Sequence, residues 1–465
     1  MKLAASATVP RRPRTIAGAR RLPVQEDFWS GVRPARQASC LDLKELPGCE
    51  SPRRQLRRWM PCQGLRSIWN FGASGAVLSV WECSQVRLSA LTAQEISGLS
   101  QRGYLTNWSN WRAAIVLGLI SSSYSTVISQ LAAAHVGRDA AVDWMSVAAI
   151  PGRDAMLQTE PTWISIAVGI GFHQWADFSW ALVFFGLLGR WTAGFSPRAL
   201  AAIAVPWAAL TSALEWLLLV PVFPFAQPIF TLQQPYWIGF LVHASSAIIY
   251  PFFPWLRGPQ PKAATGNSIF LRWWAVGVLL AIAIPGGAAL ARSGGYELPW
   301  FGADVVSDKN YMRHMRTHHE QGVEIAGIAV QRAQDPHLRA LARLMVASQA
   351  GENRILQSWW QSWFDEPMAL CSAGERAEMP GLLSPEQIGR LTMAETHSFD
   401  AMFVQLMTLH HAGAVAMADK ELRGSGDLRL RLMAHSIRHE QQGEIALMNG
   451  VAGFAAVAQA VQNML

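Results

Sequence analysis

From about residue 113 the chain stops mixing apolar and polar positions and runs in long apolar stretches. They lie at about 113–134, 163–189, 199–220, 236–256 and 270–291, each near the ~20 residues that cross ~30 Å of hydrocarbon. The pattern predicts five membrane spans, the second long enough to tilt, with Pro206, Pro251 and Pro285 kinking the third, fourth and fifth. Beyond residue 300 the period shortens to that of amphipathic helices, at about 309–333, 336–364, 385–422 and 428–449. Breaks fall at Asp335-Pro336, at 367–380 and at Gly424-Ser425-Gly426. Four such helices suit a bundle. Residues 1–110 carry scattered Arg and Pro, no sustained periodicity and no apolar run of a secretory signal. They are expected to be disordered cytoplasmic sequence or an upstream extension. The expected organisation is therefore all-α: an extension (1–110), a polytopic membrane region (111–292) and a helical domain (300–465).

Composition agrees with the membrane portion, since 15% of residues are charged against ~25% in soluble domains. The net charge of +7 suggests nucleic acid until it is divided. Residues 1–112 hold 17 Lys+Arg against 7 Asp+Glu, residues 113–292 hold 8 against 6, and residues 293–465 hold 14 against 19. A basic flank before a first span orients a membrane protein, so no nucleic-acid partner is expected. Arg190, Arg198, Arg257, Lys262 and Arg272 mark the cytoplasmic loops. An odd number of spans then puts residues 292–465 outside the cytoplasm, in the periplasm of a Gram-negative cell. Of five cysteines four precede residue 84, the fifth is Cys371, and no C-x-x-C pair occurs, so neither a zinc ribbon nor a redox dithiol is suggested.

The helical domain is duplicated. A shift of 92 residues aligns Met315 with Met407, His318-His319 with His410-His411, Asp335 with Asp427, Ala342 with Ala434, Gln349 with Gln441, and Gly351-Glu352 with Gly443-Glu444. Two helix–turn–helix units make the four helices. At 100° per residue Met312, Met315, His319, Val323 and Ala326 share one stripe, as do Met407, His411, Val415 and Ala418. In the following helices Leu338, Ala342, Met345, Gln349, Glu352 and Leu356 align, and so do Leu430, Ala434, Ile437, Gln441, Glu444 and Met448.

Burying Glu352 and Glu444 costs several kcal/mol each unless they are paired, protonated or bound to a cation. Either His319–Glu352 and His411–Glu444 simply hydrogen-bond within a core, or a metal is held. Sulfur favours the metal, because Met312, Met315 and Met407 precede the His pairs by one or two turns, and thioethers select soft ions such as Cu(I). A Met at helical spacing is also ordinary core filler. His435 and His439, spaced i, i+4, fall away from Gln441 and Glu444, so a solvated face is expected ahead of a second site. His314 could extend the first site, and His337 and His397 are expected at the surface.

The strings YMRHMRTHHEQGVEIA, DPHLRALARLMVASQAGE, FVQLMTLHHAGAVAMA and DLRLRLMAHSIRHEQQGE resemble the ferritin-like bacterial family known as domain of unknown function 305, over about 308–450. The resemblance implies a ferritin-like, extracytoplasmic four-helix domain with copper binding and copper tolerance in some members. Its ligands would be drawn from Met312, Met315, His318, His319, Met407, His410, His411 and Met417, and Val404 where the first copy has Met312 implies unequal halves.

Within the apolar stretches lie His173, Asp177, Glu215 and His243. Ionisable groups at membrane depth are costly and suggest an ion or proton path, or else pair to fix helix packing. Three functions follow. The first is a membrane-anchored extracytoplasmic protein that sequesters or hands on Cu(I) without turnover, its partners lipid and the metal ion. The second is an oxidase with dinuclear iron or manganese on His319, Glu352, His411 and Glu444, weakened because Glu-x-x-His is absent. The third is an ion transporter with the bundle as accessory domain.

Overall fold

The structure, a computed structural model, describes residues 94–222, 229–258, 265–424 and 426–464. Most of the expected extension 1–110, with four of the five cysteines, lies outside the described residues. Every described element is helical. The longer ones are α1 (Gln94–Ala132), α2 (Ala140–Gly152), α3 (Trp163–Leu182), α4 (Pro197–Leu214), α5 (Ile229–Gln233), α6 (Tyr236–Ala247) and α7 (Thr265–Ser293) in the first region. The second holds α8 (Val305–Arg332), α9 (Pro336–Trp363), α10 (Ala373–Glu378), α11 (Pro385–Met393), α12 (Thr396–Leu422), α13 (Leu428–Met448) and α14 (Gly453–Met464).

The apolar stretches became helices with informative departures. Helix α1 begins at Gln94, inside the segment read as aperiodic, because a helix once nucleated by its apolar part extends at one hydrogen bond per added residue. Helix α2 occupies what was read as a loop; the Asp139 carboxylate accepts from the N–H groups of Ala141 and Val142 and starts it. Pro206 and Pro285 sit inside continuous helices. At Pro251 the chain instead passes into a 3₁₀ turn, Tyr250–Phe252, since a proline contributes no N–H to a continuing helix. Two π-helical turns, Val183–Leu187 and Glu215–Leu219, extend α3 and α4.

Five helices are long and apolar enough to cross a membrane: Trp108–Val136, Pro197–Leu219, Tyr236–Arg257, Asn267–Ser293 and Thr396–Leu422. Four coincide with expected spans. The expected span at 163–189 is a helix but is not among them, its middle being interrupted by His173, Gln174 and Asp177. The fifth is α12, whose apolar residues Phe399, Phe403, Met407, Ala414 and Ala418 are fully buried in the second region. Helix α7 differs in kind: Ile269, Trp273, Leu279, Leu280, Ile284 and Leu290 are each more than half exposed.

In the second region α8 packs on α9, α12 on α13, α8 on α12 and α9 on α13. The run read as one helix at 385–422 breaks at Ala394-Glu395 into α11 and α12. The duplication reappears in the caps. Asp335 and Asp427 accept from the N–H groups two residues on, in His337 and Arg429. Asp400 in turn takes the N–H of Asp335, and Asp308, its equivalent 92 residues earlier, takes that of Asp427. It also reappears in the core, which divides into two apolar clusters. One holds Ala326, Leu338, Ala342, Met345, Phe403 and Met407; the other holds their equivalents Ala418, Leu430, Ala434, Ile437, Tyr311 and Met315.

The two regions are joined by polar groups taken out of water. The Arg138 guanidinium, 6% exposed, donates to the Glu440 carboxylate at 2.5 Å and to Asp143 at 2.6 Å. Gln234 also donates to Asp143, and Ser348 to the other oxygen of Glu440. Two equivalent glycines let the backbones meet. A Cβ on Gly443 would lie 2.1 Å from the Leu232 carbonyl oxygen, and one on Gly351 would lie 2.9 Å from Asp139 Cβ. Helix α5 thus docks on α13, and the start of α2 on α9. Replacing Arg138 by Met should lower stability by about 3–5 kcal/mol, because buried Glu440 is left without its cation and half-buried Asp143 loses the same partner. Denaturant unfolding of the full chain checks this, with Arg138→Lys recovering only part, since an ammonium lacks the forked geometry.

Candidate metal centre

Along each of the four long helices the polar residues fall where the chain passes from one apolar cluster to the other. Helix α8 runs from Met312 and Met315 through His318-His319 to Ile325 and Ala326; α12 runs from Phe403 and Met407 through His410-His411 to Ala414 and Ala418. Gln349 and Glu352 of α9, and Gln441 and Glu444 of α13, occupy the same level. A polar layer therefore crosses the middle of the four helices. The four imidazoles are fully buried, and Glu352 and Glu444 are 6% and 1% exposed.

Equivalent residues meet at the centre. The rings of His318 and His410 stand 3.8 Å apart, and His410 Nε2 lies 3.2 Å from the His318 carbonyl oxygen. His318 Nε2 lies 3.2 Å from the Pro380 carbonyl oxygen, in the segment linking the two repeats. Gln321 clasps that segment with two hydrogen bonds to the Leu383 backbone. Gly381, at φ +72°, and Gly413 allow the approach, since a Cβ on Gly413 would fall 2.1 Å from the Pro380 oxygen. Flanking the centre, His319 Nδ1 stands 3.3 Å from Glu352 and His411 Nε2 stands 2.7 Å from Glu444. Gln233, from the first region, donates to the other oxygen of Glu444 at 3.0 Å.

These pairs leave much polar capacity unused. Both ring nitrogens of His319 and of His411, Nδ1 of His318 and of His410, and both amide atoms of Gln349 are buried without a hydrogen bond of good geometry. Burial, then the neighbouring His411, pushes the His318 imidazole down to about 3, and burial with His318 holds His319 well below its ordinary range. Burial, then the Glu440 charge, holds the Glu352 carboxyl well above the carboxylate range. Neutral imidazole is the form that ligates a metal. Orphaned nitrogen lone pairs in a layer flanked by thioethers fit a soft cation, and the same imidazoles with two carboxyl groups also suit iron or manganese.

Met312, Met315 and Met407 are fully buried as expected, whereas Met417 is only half-buried against the second apolar cluster. The layer does not gather its nitrogen and oxygen donors at one point. Among the described residues the group of three or more His, Cys, Asp or Glu donors lying within 4.8 Å of one another is His314, Cys371 and Glu375. His314 faces Glu375 at 3.5 Å, so it does not extend the interior site. His439 is fully buried and His435 half-buried, correcting their placement on a solvated face. The indole N–H of Trp237 donates to His435, and Trp216 stands over His439. That face of α13 meets α5 and its surroundings instead of water. His397 is exposed, and His337, also exposed, pairs with Asp154.

The ionisable residues of the apolar stretches also come together. His243 lies 3.1 Å from Glu215 through Nε2 and 3.5 Å from Asp177 through Nδ1, and His173 lies 3.6 Å from Asp177. Ser125 bonds both His173 and Asp177, Thr211 lies 3.3 Å from His243, and the Trp180 indole donates to Glu215. Glu215 sits at the start of a π-helical turn, a feature frequent at functional positions. Ser125, Thr211 and Trp180 carried no sequence signal beyond their presence in apolar stretches.

Residues 308–452 match the family described as Domain of unknown function (DUF305). Among solved structures, a DUF305 fragment from Deinococcus radiodurans is 28% identical, over 32% of this chain and 95% of that one, with a TM-score of 0.30. A putative secreted DUF305 protein from Streptomyces coelicolor is 27% identical over 30% and 89%, with a TM-score of 0.29. CopM in its Cu(I)-bound form is 26% identical over 31% and 93%, with a TM-score of 0.27. No curated protein matches the chain.

Burial, aided by the charge of His435, lowers His439 to about 3, while the unfolded chain titrates near 6.5. Below 6.5 the unfolded state takes up a proton that the folded state refuses. The His439 contribution is therefore present above 6.5 and is lost as pH falls toward about 3. Melting curves from pH 7 to 4 should show wild type losing stability faster than His439→Gln, by at most about 1.4 kcal/mol per pH unit.

Proposed function

We propose that this chain is a membrane-anchored, extracytoplasmic copper-binding protein whose DUF305 region sequesters Cu(I) or hands it on through Met and His side chains. The observation that carries this reading is the layer of four buried imidazoles with unused nitrogens, entered on α8 and α12 from fully buried Met315 and Met407. Imidazole and thioether together favour Cu(I), and no Glu-x-x-His pair favours a dinuclear oxidase. In this reading His319 and His411 supply nitrogen, the methionines supply sulfur, and Glu352 and Glu444 orient the imidazoles. Membrane anchoring is supported by the apolar outer surface of α7, which none of the described residues covers along its exposed face. The sidedness agrees with the docking, because the DUF305 region meets Arg138 and Gln233, both from loops assigned to the external side.

A second reading, ion transport, is favoured by the assembly of His173, Asp177, Glu215 and His243 into one cluster. The cluster would then carry the ion or its counter-proton.

Purified full-length protein titrated with Cu(I), Zn(II) and Fe(II) should prefer Cu(I). Met315→Leu and His319→Ala should each weaken Cu(I) binding at least about ten-fold. Iron bound in preference and lost in Glu352→Gln would replace copper with the oxidase reading. Alkaline phosphatase fused after Leu465 should be active, and an inactive fusion reverses the topology. Copper flux into proteoliposomes that His243→Leu abolishes, with Cu(I) affinity kept, would establish the transporter.

A further inference from the structure

The interior layer repeats at 92 residues, but the group formed by His314, Cys371 and Glu375 does not. The position equivalent to His314 is Leu406, and Cys371 and Glu375 lie in the segment between the repeats, which occurs once. Duplication of a core therefore does not account for these three side chains sharing one place.

Their donor atoms lie within 4.8 Å of one another and all three residues are half-buried. His314 is in the third turn of α8, Cys371 precedes α10, and Glu375 is in the first turn of α10. The linker segment is pinned to α8 at this point. Arg313 donates to the carbonyls of Ala369 and Leu370 and to the Glu375 carboxylate at 3.0 Å, and Glu375 also accepts from the Ser372 N–H. The Thr317 hydroxyl donates to Cys371 Sγ at 3.3 Å, and the thiol is directed at the Arg313 carbonyl at 3.6 Å. The Thr317 bond serves a thiolate as well as a thiol. Cys371 is a free cysteine. Deprotonation of the thiol removes its contact to the Arg313 carbonyl but leaves the Thr317 bond and the Arg313 contacts to Glu375 and the linker.

We propose that His314, Cys371 and Glu375 form a second, solvent-facing metal site that takes a borderline divalent cation of the Zn(II) type. Imidazole, thiolate and carboxylate are the three ligand types of zinc, and three protein ligands leave a fourth position open for exchange. The carboxylate is a hard donor, so this set favours a divalent ion over Cu(I), unlike the sulfur-flanked interior. Binding releases the Cys371 proton to solvent. The site stands independently of the interior layer, which contains no cysteine.

The test uses full-length protein in detergent with Cys40, Cys49, Cys62 and Cys83 replaced by Ser, leaving Cys371 as the one thiol. Co(II), the spectroscopic substitute for zinc, should produce a thiolate-to-metal charge-transfer band that saturates at one ion per chain and disappears when Zn(II) is added. His314→Ala and Glu375→Gln should each weaken Co(II) binding at least about ten-fold. On the unsubstituted protein, Zn(II) should slow alkylation of Cys371 by iodoacetamide, read by mass spectrometry of its peptide, so the result does not rest on any variant folding. No cobalt band together with unprotected Cys371 overturns the site. A band whose affinity is unchanged in both variants overturns the assignment of His314 and Glu375.

Discussion

Four imidazoles, two amides and two carboxyl groups occupy a level of the DUF305 region that has apolar core on both sides. Such groups cost several kcal/mol each when removed from water without partners, and here many nitrogen and oxygen atoms lack one with good geometry. The rest of the region is arranged around that layer. The linker closes over it through Pro380, Gly413 makes room for the linker, and Gln233 reaches in from the first region to Glu444. The same cost disfavours the charged form of His318, His319 and His410, and uncharged imidazole is what a soft cation needs.

Duplication makes the layer economical. One helix–turn–helix unit contributes a His pair, a Gln and a Glu, and the second copy contributes the same set from the facing side. Residues near the axis relating the copies meet their own equivalents, as His318 meets His410, while residues farther out meet the other element of their own unit, as His319 meets Glu352. The linker runs once and touches His318 by its carbonyl, so the two halves are not interchangeable.

Much of this was legible in the chain. The 92-residue repeat, the four helices and the burial of Glu352 and Glu444 follow from local periodicity, which needs no knowledge of distant contacts. The clustering of His173, Asp177, Glu215 and His243 was legible for a different reason: charged groups in an apolar run have few tolerable places except beside one another. What escaped was long-range. Arg138 and Glu440 are 302 residues apart, and nothing near either names the other. His439 was placed on a wet surface because helical-wheel reasoning takes the outside of a bundle to be solvent, whereas here that outside is occupied by α5. Helix α12 shows the converse, apolar enough to pass for a span and yet consumed by a protein core.

The docking of the two regions bears on how the protein can be dissected. The peptide between α7 and α8 looks like a natural cleavage point, and the repeat lies wholly beyond it. Yet an excised fragment would expose Glu440 without its guanidinium and Glu444 without its amide, and would bare the two glycine seats on α9 and α13. The border of the repeat therefore does not coincide with the border of the polar contacts, which run on to Arg138 and Gln233.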